Sequence, residues 1–416
     1  METTTTQNTP SNKFSRYHIF IIAILAITVF TVVLDFMVLS PLGAQLLRLL
    51  SISTSQFGIV VSVYALSAGA SGLLAAGFAD KYDRKKLLLF FYSGFIVGTL
   101  LCGLANTYHL LLFARVVTGI FGGVISSISF AIITDLFPIE KRGRVMGFVQ
   151  LSFAVSQVIG IPVGLYLAHL YDWHAPFIAI VILGLVVFLA IWKWMKPINA
   201  HIGKYQDKNA FVHLYHTITN RNYLKGFSAT ALLSLGGFML MPFSAAFLVY
   251  NIKITEAQLP LVFMFTGICT MIAGPLIGKF SDQFGKLTMF TFGTIVTIIM
   301  VAIYTNMVEM PMYQVIIINC FLFIGITSRM ISGSALMTAV PEMQDRGAFM
   351  GINSSIQQIA GGIASLCAGL IVVQSEDLSL LHFNWLGYVV IFTMLICLWM
   401  IYIVHKYVKA KLKKDV

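Results

Sequence analysis

Charged residues are scarce in this chain. Asp, Glu, Lys and Arg make up 10% of its 416 residues, and 58% are hydrophobic. Soluble domains carry roughly a quarter charged residues, so the shortage excludes an ordinary soluble fold and points to an integral membrane protein. The five cysteines, Cys102, Cys269, Cys320, Cys367 and Cys397, all lie inside apolar runs. They form no metal-type spacing and no disulfide framework, and read as reduced packing residues. No glycine-rich loop ending in Lys-Ser or Lys-Thr is present, which excludes an ATP motor of that kind. No His or Cys cluster suggests a metal, and no hydrolase triad is visible. Neither metal, cofactor nor enzymatic chemistry is therefore expected. The polar, Thr-rich start, Met1 to Asn12, reads as a disordered tail, and the apolar run that follows is too long for a cleaved signal core.

Long hydrophobic runs fill the rest. Spanning a bilayer takes about 20 mostly apolar residues. Runs of that kind fall at about 17–40, 56–78, 87–105, 109–133, 145–168 and 175–196, then at 223–250, 257–279, 287–306, 312–337, 347–373 and 384–406. The expected fold is an all-α membrane protein of twelve transmembrane helices in two pseudo-symmetric six-helix halves. Its parts would be a tail at 1–16, a first half at 17–196, a linker at 197–222, a second half at 223–406 and a basic tail at 407–416.

The halves echo each other. Gly77-Phe78-Ala79-Asp80-Lys81-Tyr82-Asp83-Arg84-Lys85-Lys86 resembles Gly278-Lys279-Phe280-Ser281-Asp282-Gln283-Phe284-Gly285-Lys286, with Asp80 and Asp282 offset by 202 residues. Arg142-Gly143-Arg144-Val145-Met146-Gly147 resembles Arg346-Gly347-Ala348-Phe349-Met350-Gly351 at an offset of 204. Two matches at nearly one offset argue for duplication of a large unit, and long repeats of this kind mark secondary transporters.

The net charge of +11 looks like a nucleic-acid signal, but its distribution says otherwise. Of 27 Lys and Arg, 23 fall on the side of the termini, and only Arg48 and Lys253 on the other. By the positive-inside rule both termini and the middle loop are cytoplasmic, and the basic surface faces anionic lipid heads. No nucleic-acid partner is expected. The linker, too short for a folded domain, reads as a connection that could carry a helix lying on the membrane.

The chain resembles the major facilitator superfamily over nearly its whole length. Asp80, Lys81, Arg84 and Lys85 match the signature between helices two and three, with Gly77 one place late and Asp83 where the turn glycine stands. Asp83 is expected to take the left-handed turn conformation that glycine would. Gly278, Asp282, Gly285 and Lys286 repeat the signature in the second half. Arg115 with Gly119 is similar to the Arg-x-x-x-Gly pattern of proton-coupled members, and Asp35, six residues before Pro41, to an acid of exporters. The helix-five stretch Gly160-Ile161-Pro162-Val163-Gly164 keeps part of the antiporter motif. The resemblance is to the bacterial twelve-helix efflux group, including sugar-efflux and drug–proton antiporters. It implies a plasma-membrane protein, expected to be monomeric, that alternates access and exchanges small drug-like or sugar-like molecules for protons. Uptake by proton symport is the first rival. A non-transporting sensor on the same fold is a second.

Asp35 is the only acid deep in an apolar span. Ionised carboxylates are costly in a bilayer and usually face a cavity or a partner, and burial favours the neutral form of such a group. Arg115 lies at a similar depth, so the two are expected to pair and to couple protons to conformation; the bland reading is a static ion pair. Arg329 lies near the cytoplasmic end of its span, with Ser126 at the matching place in the first half. It could hold an anionic group, or snorkel to the interface. Gln157, Asn353, Gln357 and Phe238 are further cavity candidates, with Gln150, Gln358, Phe36 and Met37 beside them. Amides in spans also serve as interhelical glue worth ~0.6 kcal/mol each. Asp80, Arg84, Lys85, Asp135, Arg142, Arg144, Asp282, Lys286 and Arg346 are candidates for a cytoplasmic latch, each Asp docking at a helix start of the other half. Gly160, Pro162 and Gly164 are expected to bend helix five, and Pro242 and Pro275 to break helices seven and eight.

Overall fold

The computed structural model describes residues 14–75, 81–199, 202, 210–342 and 345–412. Twelve helical segments are long and apolar enough to cross a membrane. The first half comprises α1 (Arg16–Val38), α2 (Gly43–Leu49), α3 (Thr54–Ala75), α4 (Arg84–Gly103), α5 (Tyr108–Leu136), α6 (Ile139–Val155), α7 (Ile161–Leu170) and α8 (Ala175–Trp194). A linker helix, α9 (Ala210–Thr219), follows. The second half comprises α10 (Arg221–Phe238), α11 (Met241–Tyr250), α12 (Leu259–Phe284), α13 (Lys286–Tyr304), α14 (Met312–Met337), α15 (Arg346–Ile371) and α16 (Phe383–Leu412). A two-residue ribbon, β1 (Val373–Gln374) against β2 (Leu380–Leu381), joins the last two.

Local chemistry sets many of the ends. Ser15 and Thr107 accept from the amides of His18 and Leu110, supplying the first turns of α1 and α5 with N-caps. Asp83 does the same for α4, accepting from Lys86 N with φ −57°. That corrects the expectation of a left-handed Asp83: a short acidic side chain before a helix caps its free amides instead. Between α12 and α13 the expected hydrophilic turn shrinks to one residue. α12 runs through Asp282 to Phe284, and Gly285 turns the chain at φ +93°. Only glycine adopts that conformation without a Cβ penalty. Gly285→Ala is expected to lower stability by about 1 kcal/mol, read as a lower melting midpoint of the purified protein.

The prolines act differently from one another. Pro162 opens α7 immediately after a π turn at Ser156–Gly160, and Pro242 opens α11 after a two-residue interruption of the seventh span. Pro275 lies inside α12, which runs unbroken, so helix eight is not broken as expected. α16 continues to Leu412, beyond the expected end of the last span, and α2 is a short helix that the apolar-run reading left out.

The start of α1 and the end of α16 lie on one face, here called the basic face. The halves meet along two seams, α3 against α15 and α7 against α12. At the opposite face the seams are tight. A Cβ on Gly58 would lie 2.8 Å from the Ser365 carbonyl oxygen and 3.0 Å from Gly369 Cα. Arg48 pairs with Glu256 at 3.1 Å and Gln45 donates to the same carboxylate at 2.9 Å. The Tyr250 hydroxyl donates to Ala44 O at 2.6 Å and Thr54 Oγ1 to Val372 O at 2.6 Å. Ser40 Oγ donates to Met241 O, and Phe57 meets Phe243 edge-on. Toward the basic face the α3–α15 seam stays close as far as Gly72, where a Cβ would lie 3.0 Å from Ser355 Oγ, while other glycines have open space beside them. A Cβ on Gly143, Gly147, Gly278, Gly347 or Gly351 would meet nothing within 4 Å. The hydrogen bonds and ion pair named here that tie the halves together thus gather toward the opposite face.

Exposed aromatics cluster at the ends of spans, with Trp192 and Trp194 closing α8 and Trp385 and Tyr388 opening α16. Such rings settle at membrane interfaces. α9 is held to the second half, where His213 and Tyr223 both contact the Asp345 carboxylate, at 3.0 and 2.6 Å. The Tyr223 hydroxyl, and after it His213, hold the Asp345 carboxyl below the usual range.

Candidate functional site

Two helices bring the first pair together. Asp35, one turn before the end of α1, and Arg115, two turns into α5, form an ion pair at 2.7 Å. Both side chains are 0% exposed. Thr99 Oγ1 of α4 donates to the other carboxylate oxygen at 3.2 Å, and Arg115 Nη1 also reaches the Asp35 carbonyl at 3.4 Å. The guanidinium lies over the Tyr64 ring of α3, 4.4 Å from its centroid, and Nε and Nη2 find no hydrogen bond. Removing either partner from such a pair leaves an uncompensated buried charge. At the repeat offset of 204 the second half has Met239 and Asn319, so the pair has no counterpart there.

A chain of rings leads from the pair to the other half. Tyr64 stacks on Phe36 at 5.3 Å between centroids, and Phe36 meets Phe238 at 6.2 Å. Phe238 in turn covers Gly361 of α15, where a Cβ would come within 3.4 Å of its ring. Tyr64 and Thr99 were not among the residues expected from sequence, because an uncharged side chain in a span carries no signal of its own partner.

Gln157, Asn353 and Gln357 are half-buried. Gln157, in the π turn, accepts from Thr270 of α12 at 3.3 Å, which links the halves near the middle of the seam. Asn353 accepts from Thr230 at 2.6 Å, within the second half. Gln357 lies one turn further along α15, and Gln150 is exposed on α6. Gly160 lets Leu34 and Phe30 pack against the π turn, and Gly164 admits Val38.

Arg329 is 1% exposed, so it does not snorkel to the interface. Its guanidinium lies 5.6 Å from the Phe290 ring, and its Nε and Nη2 have no hydrogen-bond partner. No acid among the described residues pairs with it.

The basic-face candidates make contacts within their own halves in this conformation. Arg84 pairs with Asp135 at 3.0 Å, tying α4 to α5. Arg142 folds back to donate to Phe137 O at 2.9 Å and Thr134 O at 2.6 Å, satisfying the last carbonyls of α5. Arg144 lies over the rings of Phe14 and Phe148, and Lys85 donates to Trp192 O at 2.9 Å. Asp282 is 77% exposed and pairs with Lys286 at 3.0 Å rather than with the start of α6. Arg346 is exposed in the first turn of α15. Asp80 lies outside the described residues. The Arg84–Asp135 and Asp282–Lys286 ion pairs thus each lie within one half. The ties that do cross between halves, centred on Glu256 and Arg48, were not legible as a pair, since they join α2 to a loop more than 200 residues away.

Comparison with known proteins fits this geometry. The chain is 34% identical to multidrug resistance protein 3 of Bacillus subtilis (strain 168), over 149 residues that cover 36% of this chain and 29% of that one. The chain thus matches less than a third of that relative's length, and 66% of the MFS-type transporter YceJ of the same organism. It is 24% identical to the MFS-type transporter YbcL of that organism over 370 residues, 88% of this chain and 91% of YbcL. A probable sugar efflux transporter of Helicobacter pylori (strain G27) is 26% identical over 34% of this chain and 36% of its own. Among solved structures, a D-xylose–proton symporter superposes with a TM-score of 0.76 at 15% identity, over 92% of this chain and 97% of that one. A bacterial homologue of the lysosomal transporter Spinster, in an inward-facing and occupied conformation, does so with a TM-score of 0.71 at 15% identity, over 95% and 98%. The sequence profile of the Major Facilitator Superfamily matches residues 25–218 and 226–416, and the chain, a twelve-span membrane transporter rather than an enzyme, belongs to that family.

Proposed function

We propose that the protein exports small drug-like or sugar-like molecules in exchange for protons, from a plasma membrane in which both termini are cytoplasmic. It works as a monomer, needs no cofactor and draws on the proton gradient. The observation that carries the reading is the buried Asp35–Arg115 pair, which is confined to one half and joined to the other by the Tyr64–Phe36–Phe238 rings. A proton arriving on Asp35 weakens its hold on Arg115. The guanidinium then shifts on Tyr64, and the ring chain passes that shift to the contact between halves. Proton binding moves the equilibrium only as far as its affinity differs between the two open states. The basic-face charges near Asp282 and Arg346 are read as contacts made when that side shuts.

Uptake by proton symport is the second reading. The incomplete antiporter pattern at Gly160-Ile161-Pro162-Val163-Gly164 favours it. Oriented proteoliposomes with an imposed pH gradient separate the two. Export by antiport predicts that a toxic compound to which the protein confers growth resistance moves against the proton flux. Movement of that compound with the protons would establish symport and overturn export.

A further inference from the structure

Two thiols meet inside the second half. Cys269 of α12 and Cys320 of α14 share a hydrogen bond between their sulfurs. Cys320 Sγ also lies 3.9 Å from the Phe265 carbonyl oxygen, one turn before Cys269 on α12. The packing of α12 against α14 sets this contact. As the eighth and tenth spans, the two helices run in the same direction. At the helical rise per residue the two cysteines stand about 15 and about 12 Å from the starts of their helices, near the middle of a hydrocarbon layer about 30 Å thick. Both are free and half-buried. The other three cysteines lie on α4, α15 and α16, and Cys102 and Cys397 are buried.

Touching thiols can do what a single thiol cannot, which is to hold one atom by two bonds. Thiolates favour soft metals and metalloids, and the bilayer interior, which penalises charge, narrows the choice. Copper(I) or silver(I) between two thiolates leaves a net negative charge. Mercury(II) prefers a linear arrangement and would drive the sulfurs apart. Trivalent arsenic is pyramidal, suits sulfurs already in contact and gives a neutral product. An organic arsenoxide, R–As=O, condenses with two thiols. Two As–S bonds form, the bond to oxygen breaks, and both thiol protons leave with that oxygen as water. Arsenic stays trivalent, so no oxidant or reductant is needed.

We propose that Cys269 and Cys320 form a dithiol site for trivalent organoarsenicals. The adduct braces α12 against α14 beside the α7–α12 seam. There Thr270 donates to Gln157 at 3.3 Å, and a Cβ on Gly267 would lie 3.0 Å from the Gln157 backbone. The site is separate from the Asp35–Arg115 pair, which belongs to the other half. It does not depend on what the protein carries or in which direction.

The test uses purified full-length protein in detergent, with phenylarsine oxide as the probe and mass spectrometry of the intact chain as the readout. One arsenical is expected to add with loss of one water. The adduct is expected to survive an excess of the monothiol mercaptoethanol and to be removed by the dithiol dimercaptopropanol. Cys269→Ala and Cys320→Ala are each expected to lower retention against the monothiol by at least about a hundredfold, the order of gain that a second tethered contact gives. The Cys102→Ala, Cys367→Ala, Cys397→Ala triple variant is expected to retain the arsenical as native protein does. Absence of an adduct on native protein overturns the proposal, as does an adduct that the monothiol strips. Undiminished retention in either single variant overturns it too, because the arsenic would then be held elsewhere. Loss of the adduct in a triple variant that melts as native protein does has the same meaning. Should that variant melt early, the two single variants decide on their own.

Discussion

Asp35→Asn protein is expected to fold, insert and bind its ligand, while its gradient-driven transport falls to the level of protein-free vesicles. Asparagine has the shape of the protonated acid. Its carbonyl oxygen can still accept from Arg115 and its amide can meet Thr99, so the packing around α1, α4 and α5 survives. What it lacks is the exchangeable proton. A site that does not titrate has no differential proton affinity between two conformations, and without that difference no gradient can bias the equilibrium. Arg115→Met makes the contrasting case. It leaves a buried carboxylate unpaired, and breaking a buried pair in this way costs about 3–5 kcal/mol when the remaining charge stays ionised. That variant is expected to melt well below native protein, and the Asp35→Asn, Arg115→Met double variant to recover part of the loss. Vesicle transport under an imposed pH gradient, beside melting curves for the three variants, tests the assignment. Unchanged gradient-driven transport by Asp35→Asn would remove Asp35 from the mechanism, and a collapse of stability in that variant equal to Arg115→Met would make the pair a purely structural tie.

The depth of Asp35 and Arg115 could be read without coordinates because the bilayer penalises charge steeply. Two opposite charges at one depth of adjacent spans have few other places to go. The span boundaries were legible for a similar reason, since about 20 apolar residues are needed to cross. The break in the seventh span was expected from Pro242, and it falls at Met239-Leu240, just before that proline. Gly236 and Gly237 lie just before it, and a run that stays apolar across a break shows the place only through such residues. Asp282 was expected in a turn, yet Lys279 to Gln283 continue α12, since helical hydrogen bonding does not stop where the apolar run does. Asp83 was expected to turn the chain as a glycine would, and caps α4 instead. The partners of Glu256 and Asp345 were hidden for a plainer reason. Each contact joins residues more than 100 positions apart in the chain, and no local spacing records that.

The seam between α3 and α15 should decide how far the molecule can splay. It runs antiparallel, with Gly58 at Gly369, Leu66 at Gly362, and Gly69 and Gly72 at Ser355. Small residues allow helices to approach closely in a membrane, where packing rather than hydrophobicity drives association. At Gly58 the neighbouring atoms are backbone, which cannot rotate out of the way. Gly58→Leu must therefore push the helices apart at the opposite face. Overpacking of this kind costs roughly 1–3 kcal/mol, and about 1.4 kcal/mol is a tenfold change in an equilibrium. The population open at the basic face is expected to fall by about tenfold. Gly147→Cys, placed where nothing lies within 4 Å, reports that population in a cysteine-free background through labelling by a soluble maleimide from the basic side. Labelling of Gly147→Cys should drop when Gly58→Leu is added, while Gly347→Cys across the opening should drop in parallel. If both cysteines label as fast as before, the seam is compliant and closure at the opposite face must be governed by the other ties there, among them Arg48–Glu256 and Tyr250–Ala44.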